Sequence, residues 1–115
     1  DFIGQTNKLP GRSAGSSASV LGQTVPLLPG SASGDVTVLI RPENITLRPA
    51  AGVAADRAGR VQITGFLGSH AKVRVEVPGG FVVAQLGVGE SSGLAPGDEV
   101  EVILKDVPAL AVATS

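Results

Sequence analysis

The chain has 115 residues, the size of one domain, with no cysteine, methionine, tryptophan or tyrosine and only three phenylalanines. Nine Lys+Arg against ten Asp+Glu give a formal net charge of -1, so no basic excess drives nucleic-acid binding, and the lack of cysteine excludes a disulfide framework, a thiolate metal site and a thiol nucleophile. Sixteen glycines and eight prolines make the chain turn-rich, while 43% apolar residues supply enough buried surface for a folded β-rich domain.

From the N-terminus, a short helical turn at the start of the chain is followed by two weak strand candidates, Lys8–Ala14 and Ser19–Leu27. Between their centres, the Ser/Ala/Gly-rich stretch Arg12–Ser19 reads as a loose hairpin tip. Turns fall at Pro29-Gly30 and Ser33-Gly34-Asp35. Val36, Val38 and Ile40 then alternate with Thr37 and Leu39, the period-two signature of a strand with one buried face. Arg41-Pro42-Glu43 ends that strand, because proline removes a donor, and Pro42–Asn44 is expected to form a short helical turn. Ile45–Arg48 is a further strand candidate. Ala50–Gly59, rich in alanine and glycine, is expected to link two lobes, so the chain divides into 1–49, a linker 50–59, and 60–115 completing one compact unit.

Arg60–Leu67, the run in which Val73, Val75 and Val77 alternate with Lys72, Arg74 and Glu76, and Phe81–Leu86 read as a three-stranded meander. A Gly79-Gly80 turn sets Val77 opposite Val82, Val75 opposite Ala84 and Val73 opposite Leu86, all on one face. In the first hairpin, a two-residue Gly68-Ser69 turn alone would set Val61 and Ile63 against Glu76 and Arg74, the wrong face. An extra residue is therefore required, either a three-residue loop Gly68-Ser69-His70 or a bulge at Gly65-Phe66. This register leaves Phe81 and Val83 on the outer face beside Glu76 and Arg74, a candidate contact surface for another chain. Pro96-Gly97-Asp98 is a turn capped by Asp98. Val100, Val102 and Leu104 alternate as a strand, and Ala109–Ala113 is the last candidate. The fold class expected is all-β, a small barrel of antiparallel strands with at most short helical turns.

The chemistry available is narrow. His70 is the one histidine, so there is no two-histidine metal site, and after the Gly68-Ser69 turn it reads as exposed and inert. The phosphate cradle GxxxxGK[ST] and the nucleophile elbow GxSxG are both absent, so no enzyme is expected in this chain, and no catalytic, cofactor or metal residue. No apolar run approaches the ~20 residues that span a bilayer, and no signal-peptide pattern opens the chain. A chain opening on Asp1 is expected to be a piece of something longer.

Several segments resemble a known family. Phe2-Ile3-Gly4 with Asn7 and Leu9-Pro10-Gly11 is similar to the FIG-x-x-N-x-LPG pattern that follows the nucleotide-binding domain of ABC importer ATPases. Val38-Leu39-Ile40-Arg41-Pro42-Glu43-Asn44-Ile45 resembles their xxxRPExI turn. Gly59-Arg60-Val61 through Phe66-Leu67-Gly68-Ser69, then Leu94-x-Pro96-Gly97-Asp98-x-Val100, resembles the TOBE segment. In order, these match the polyamine, ferric iron, sulfate and maltose importer subclass. The resemblance implies an OB-like (TOBE/MOP-like) regulatory and dimerisation domain of an ATP-binding subunit, with ATP and Mg on a nucleotide-binding domain upstream. The implied partners are a second copy, the parent nucleotide-binding domain and membrane permease subunits. The implied location is the cytoplasm, peripheral to the cell membrane.

Two groups of candidate site residues follow. Arg41, Glu43, Phe81 and Val83 are interface or regulatory candidates; the leading reading for Arg41 and Glu43 is structural, pinning the turn, and that for Phe81 and Val83 is ordinary surface apolarity or cover from another strand. Ser69, Lys72 and Arg74 offer weak anion contacts near one hairpin, against a plain charged face with Glu76. The competing function is a stand-alone OB-type binder of a small ligand, an oxyanion or an oligonucleotide. Single-strand binding needs aromatic platforms and a basic groove, which this composition lacks, so no nucleic-acid partner is expected.

Overall fold

In a computed structural model that describes residues 6–49, 58–78, 80–87, 89 and 94–114, the chain is all-β. The strands are β1 (Asn7–Ser13), β2 (Ser17–Val20), β3 (Gln23–Pro26), β4 (Gly34–Ile40), β5 (Ile45–Pro49), β6 (Ala58–Leu67), β7 (His70–Val77), β8 (Gly80–Gly87), β9 (Glu99–Leu104) and β10 (Leu110–Ala113). A 3-10 turn at Pro42–Asn44 stands where proline is expected to end β4. The helical turn expected at the chain start lies outside the described residues.

The strands form two five-stranded antiparallel sheets, ordered β10-β4-β1-β2-β3 and β5-β9-β6-β7-β8. The first sheet curls closed. Leu27 bridges Ala109, Leu28 N–H donates to Ala109 O (2.9 Å) and Ala109 N–H donates to Pro26 O (3.0 Å). In the second, β8 packs alongside β5 and the 3-10 turn. The chain crosses from the first sheet to the second through Arg41–Asn44 and returns through Lys105–Pro108. β5 hydrogen-bonds to β9 in the second sheet, and β10 hydrogen-bonds to β4 in the first. Of the expected linker 50–59, residues 50–57 lie outside the described residues, and Ala58 and Gly59 already belong to β6.

Alternation sets the cores. Val36, Val38 and Ile40 of β4, Val73, Val75 and Val77 of β7, and Val100 and Val102 of β9 are all buried. Each buried valine contributes roughly 1.5 kcal/mol or more of transfer free energy. The candidate strand Ser19–Leu27 is instead a tight hairpin, broken at Leu21-Gly22, where both φ angles are positive (50° and 72°). That is the backbone of a type I′ turn, which is free of strain for glycine but costs leucine about 1 kcal/mol. Packing of Leu21 against the core offsets part of that strain.

Both meander registers differ in detail from the expected ones. In the β7–β8 hairpin the partners are Val77↔Gly80, Val75↔Val82 and Val73↔Ala84, so the connection is residues 78 and 79 and the register is shifted by two residues. An even shift preserves parity, which is why the buried face is the expected one. In the β6–β7 hairpin the turn is the two-residue Gly68-Ser69, with Leu67 opposite His70. The extra residue sits further along, as a bulge between Val61 and Ile63. The bulge returns Val61 to the core and leaves Ile63 outside, opposite Arg74 and 61% exposed.

Two side-chain amides join the sheets. Asn7, 8% exposed at the start of β1, donates Nδ2–H to Val83 O (2.9 Å) and accepts Val83 N–H on Oδ1 (2.8 Å). It thereby acts as a one-residue strand on the outer edge of β8. Gln23 of β3 does the same on β9, donating Nε2–H to Val102 O (2.8 Å) and accepting Leu104 N–H on Oε1 (3.0 Å). A primary amide carries the donor and acceptor of a peptide group, so each clasp satisfies backbone atoms that neighbouring strands leave open. The expected cap at Asp98 is present. Its Oδ2 accepts Ala95 N–H (2.9 Å) and its N–H donates to Ala95 O (3.0 Å), across a turn with Pro96 second and Gly97 third at φ 94°.

Candidate functional site

The two crossings between the sheets meet. Asn44 N–H closes the 3-10 turn on Arg41 O (2.9 Å), and Lys105 N–H donates to Asn44 O (2.9 Å). The outgoing and returning segments are thus bonded to each other, and a cleft of about 320 Å³ opens beside them. Arg41 from the first crossing and Lys105 from the second both line it, with Thr6 and Asn44 as further polar groups and Leu28, Leu39 and Leu110 on the apolar walls. Among the described residues, no Asp or Glu lines this cleft. Glu43 and Asp106 belong to the same two crossings, are exposed and do not line the cleft. Neither Arg41 nor Lys105 makes an ion pair among the described residues. Two cationic residues in the lining of one concave space with apolar walls favour an anion there.

The other candidates are distributed over a second region. Phe81 and Val83 of β8 line a cleft of about 420 Å³ between β8 and β1, and Thr6 borders both clefts. Arg74 lies over the Phe81 ring, its guanidinium carbon 3.8 Å from the centroid, a cation–π contact that fixes the ring. Phe81 is paired with Glu76 and Val83 with Arg74 across the hairpin, on the outer face as expected, and Phe81 remains 48% exposed.

Ser69 is exposed in the Gly68-Ser69 turn, while Lys72 and Arg74 follow on β7 at alternate outward positions. Arg74 is engaged by Phe81, and Lys72 already has an interaction partner. The fold therefore brings Arg74, Phe81 and Val83 onto one face of the β7–β8 hairpin, and the 3-10 turn that carries Glu43 packs against β8. His70 opens β7 opposite Leu67, half-buried, away from both clefts. Among the described residues no three His, Cys, Asp or Glu side chains gather as a metal cluster would.

Sequence reasoning does not single out Lys105, Asn7 or Gln23 as site residues. The signal for Lys105 is faint: like Arg41, it is a cation directly after the last residue of a strand. Its convergence with Arg41 spans a chain separation that no local pattern reports. Asn7 stands inside the FIG-x-x-N-x-LPG pattern, and its hydrogen bonds to Val83 are a physical reason for an amide there.

Two antiparallel sheets, clasped by amides and carrying small clefts at their seam, define an OB-like all-β fold. The chain belongs to the TOBE domain family, whose model matches residues 38–107, more than half of its length, from the end of β4 through both crossings. Among solved structures, the chain is similar to the cytoplasmic molybdate-binding protein ModG in a form with molybdate bound. That likeness covers 94% of this chain and 96% of that one, with a TM-score of 0.70 and 16% sequence identity, and it is a likeness of fold. No curated protein matches the chain.

Proposed function

We propose that the chain is a non-catalytic binding module for a small oxyanion, held at the double crossing by Arg41 and Lys105. One observation carries this reading: the two cations line one cleft that, among the described residues, no carboxylate lines. A tetrahedral oxyanion accepts charge-assisted hydrogen bonds from a guanidinium and an ammonium together, and the Thr6 hydroxyl and Asn44 amide supply neutral donors. The fold shared with a molybdate-binding protein supports the same ligand class. Ser69, Lys72 and Arg74 offer the same chemistry more weakly, since Arg74 is occupied by Phe81.

Calorimetric titration with molybdate, sulfate and phosphate is the test. Saturable binding of at least one is expected, weakened about tenfold or more in Arg41→Gln and in Lys105→Gln, with Lys72→Gln close to the parent. Absence of binding to the parent chain, or equal losses in all three variants, overturns the assignment.

A second reading is favoured by family membership together with the RPE turn and the FIG-x-x-N-x-LPG pattern. In it, the chain is the regulatory and dimerisation domain of an importer ATP-binding subunit of the polyamine, iron, sulfate or maltose kind. It works in the cytoplasm at the membrane face, against a second copy, its own nucleotide-binding domain and the permease subunits. The exposed Phe81 and its neighbour Val83 are then the contact with the second copy. Sedimentation equilibrium reads this directly: a dimer is expected, dissociated by Phe81→Asp. A parent chain that stays monomeric at high concentration removes that role from Phe81 and Val83.

A further inference from the structure

We propose that the cleft between β1 and β8 is a separate binding site for a small aromatic carboxylate, with Lys8 as its counter-ion. The cleft encloses about 420 Å³, within the range of small-ligand sites. Its lining is largely apolar and includes Pro10, Leu21, Pro78 and the aromatic Phe81. Among the described residues, Lys8 is the one charged side chain lining it, is exposed, and makes no ion pair. A space of this kind favours a ligand with a planar apolar body and one negative charge. An inorganic oxyanion leaves the apolar lining unused, and a neutral aromatic forgoes the charge-assisted hydrogen bond of the ammonium.

Two features of the surrounding chain point the same way. The Arg74 guanidinium stacks on the Phe81 ring, 3.8 Å from its centroid, which favours that ring position. Leu21 occupies the left-handed backbone region at φ 50°, the one non-glycine residue among those described with positive φ. Asparagine or glycine suits that turn position without strain, and strain is retained where the side chain has a task. The Leu21 side chain serves both the core and this cleft. The Asn7 clasp lies in the same cleft lining, so a ligand there touches the joint between the two sheets.

This site does not depend on the oxyanion reading, because it uses Lys8 and not Arg41 or Lys105. The chain lacks tryptophan and tyrosine, so a fluorescent aromatic acid can be followed without protein background. The probe is 2-naphthoate, read by fluorescence anisotropy, with 2-naphthamide as its neutral counterpart. Saturable binding of one naphthoate per chain is expected. Lys8→Gln is expected to weaken it about fivefold, and the carboxamide to bind about fivefold more weakly, while Lys105→Gln stays within about twofold of the parent. Lys8 is exposed, so its substitution leaves the core untouched, and a thermal melt of each variant confirms that. No binding of naphthoate, equal binding of acid and amide, equal losses in Lys8→Gln and Lys105→Gln, or saturation at one ligand per two chains each overturn the proposal. The last outcome places a second copy of the chain at this cleft instead.

Discussion

One methyl group added at Gly59 is expected to cost about 2–3 kcal/mol, a large share of the roughly 5–15 kcal/mol that holds a domain of this size together. A Cβ at Gly59 falls 2.5 Å from Val75 Cγ1, 2.9 Å from Glu76 O and 3.3 Å from Val102 Cγ2. Val75 and Val102 are fully buried, and Glu76 O belongs to the β7 backbone, so none of the three has room to retreat. Gly59→Val adds two further carbons to the same space and is expected to abolish cooperative folding. Gly11, where a Cβ meets Val20 Cγ2 at 2.9 Å and Ser19 O at 3.0 Å, is expected to show a smaller version of the effect. Gly65→Ala is the control, since nothing lies within 4 Å of its Cβ. Urea unfolding of the three alanine variants orders them as 59, 11 and 65 from most to least destabilised. A Gly59→Ala midpoint equal to that of Gly65→Ala contradicts the close approach of β6 to β7 and β9.

Asn7→Ala is expected to destabilise the chain by about 3 kcal/mol and to lower Tm by on the order of 10 °C. It removes both hydrogen bonds to Val83 and leaves that residue's N–H and C=O without partners in a half-buried seam. Asn7→Asp separates the hydrogen-bond pattern from mere volume. An ionised carboxylate still accepts Val83 N–H but turns its second oxygen towards Val83 O, replacing a donor with a repulsion. Folding then favours the protonated acid, whose O–H restores the donor, so the folded pKa of the new carboxyl is raised. A raised pKa makes its contribution fully present below the unfolded value and lost as pH rises through the folded one. The deficit of Asn7→Asp relative to the parent is therefore expected to shrink from pH 7 towards pH 4, while that of Asn7→Ala stays level. Parallel pH profiles for the two variants sink the clasp as the reason for Asn7.

The faces of the strands are legible in the sequence because side-chain direction alternates residue by residue. Val73, Val75 and Val77 point inward and Arg74 and Glu76 outward on that ground alone, and the two-residue difference in the β7–β8 connection changes neither assignment. The same parity argument requires one extra residue in the β6–β7 hairpin. It does not locate the bulge between Val61 and Ile63, since any odd insertion on that side satisfies the pattern. Ser19–Leu27 reads as one strand in the sequence because leucine is a poor predictor of a left-handed turn. Tertiary packing of Leu21 overrides its local preference.

The candidate site is less legible. Arg41 stands out from its place beside Pro42, but its partner in the cleft, Lys105, comes from the returning crossing. Only its place directly after β9 marks Lys105 in the chain. Register places Phe81 and Val83 on the outer face, whereas the Arg74 cation over the Phe81 ring is a contact between adjacent strands that parity permits without specifying.

What the amino-acid order by itself determined was the local geometry: an all-β chain, its turns at glycine and proline, and the buried face of each valine-rich strand. These depend on a period of two and on backbone sterics, which act within a few residues. Only the tertiary structure decided how the described strands divide into two sheets, that Asn7 and Gln23 complete open strand edges, and that Arg41 and Lys105 line one cleft without a carboxylate among the described residues. Those outcomes depend on pairings between distant segments, whose cost in chain entropy is offset only when the whole set of contacts forms together.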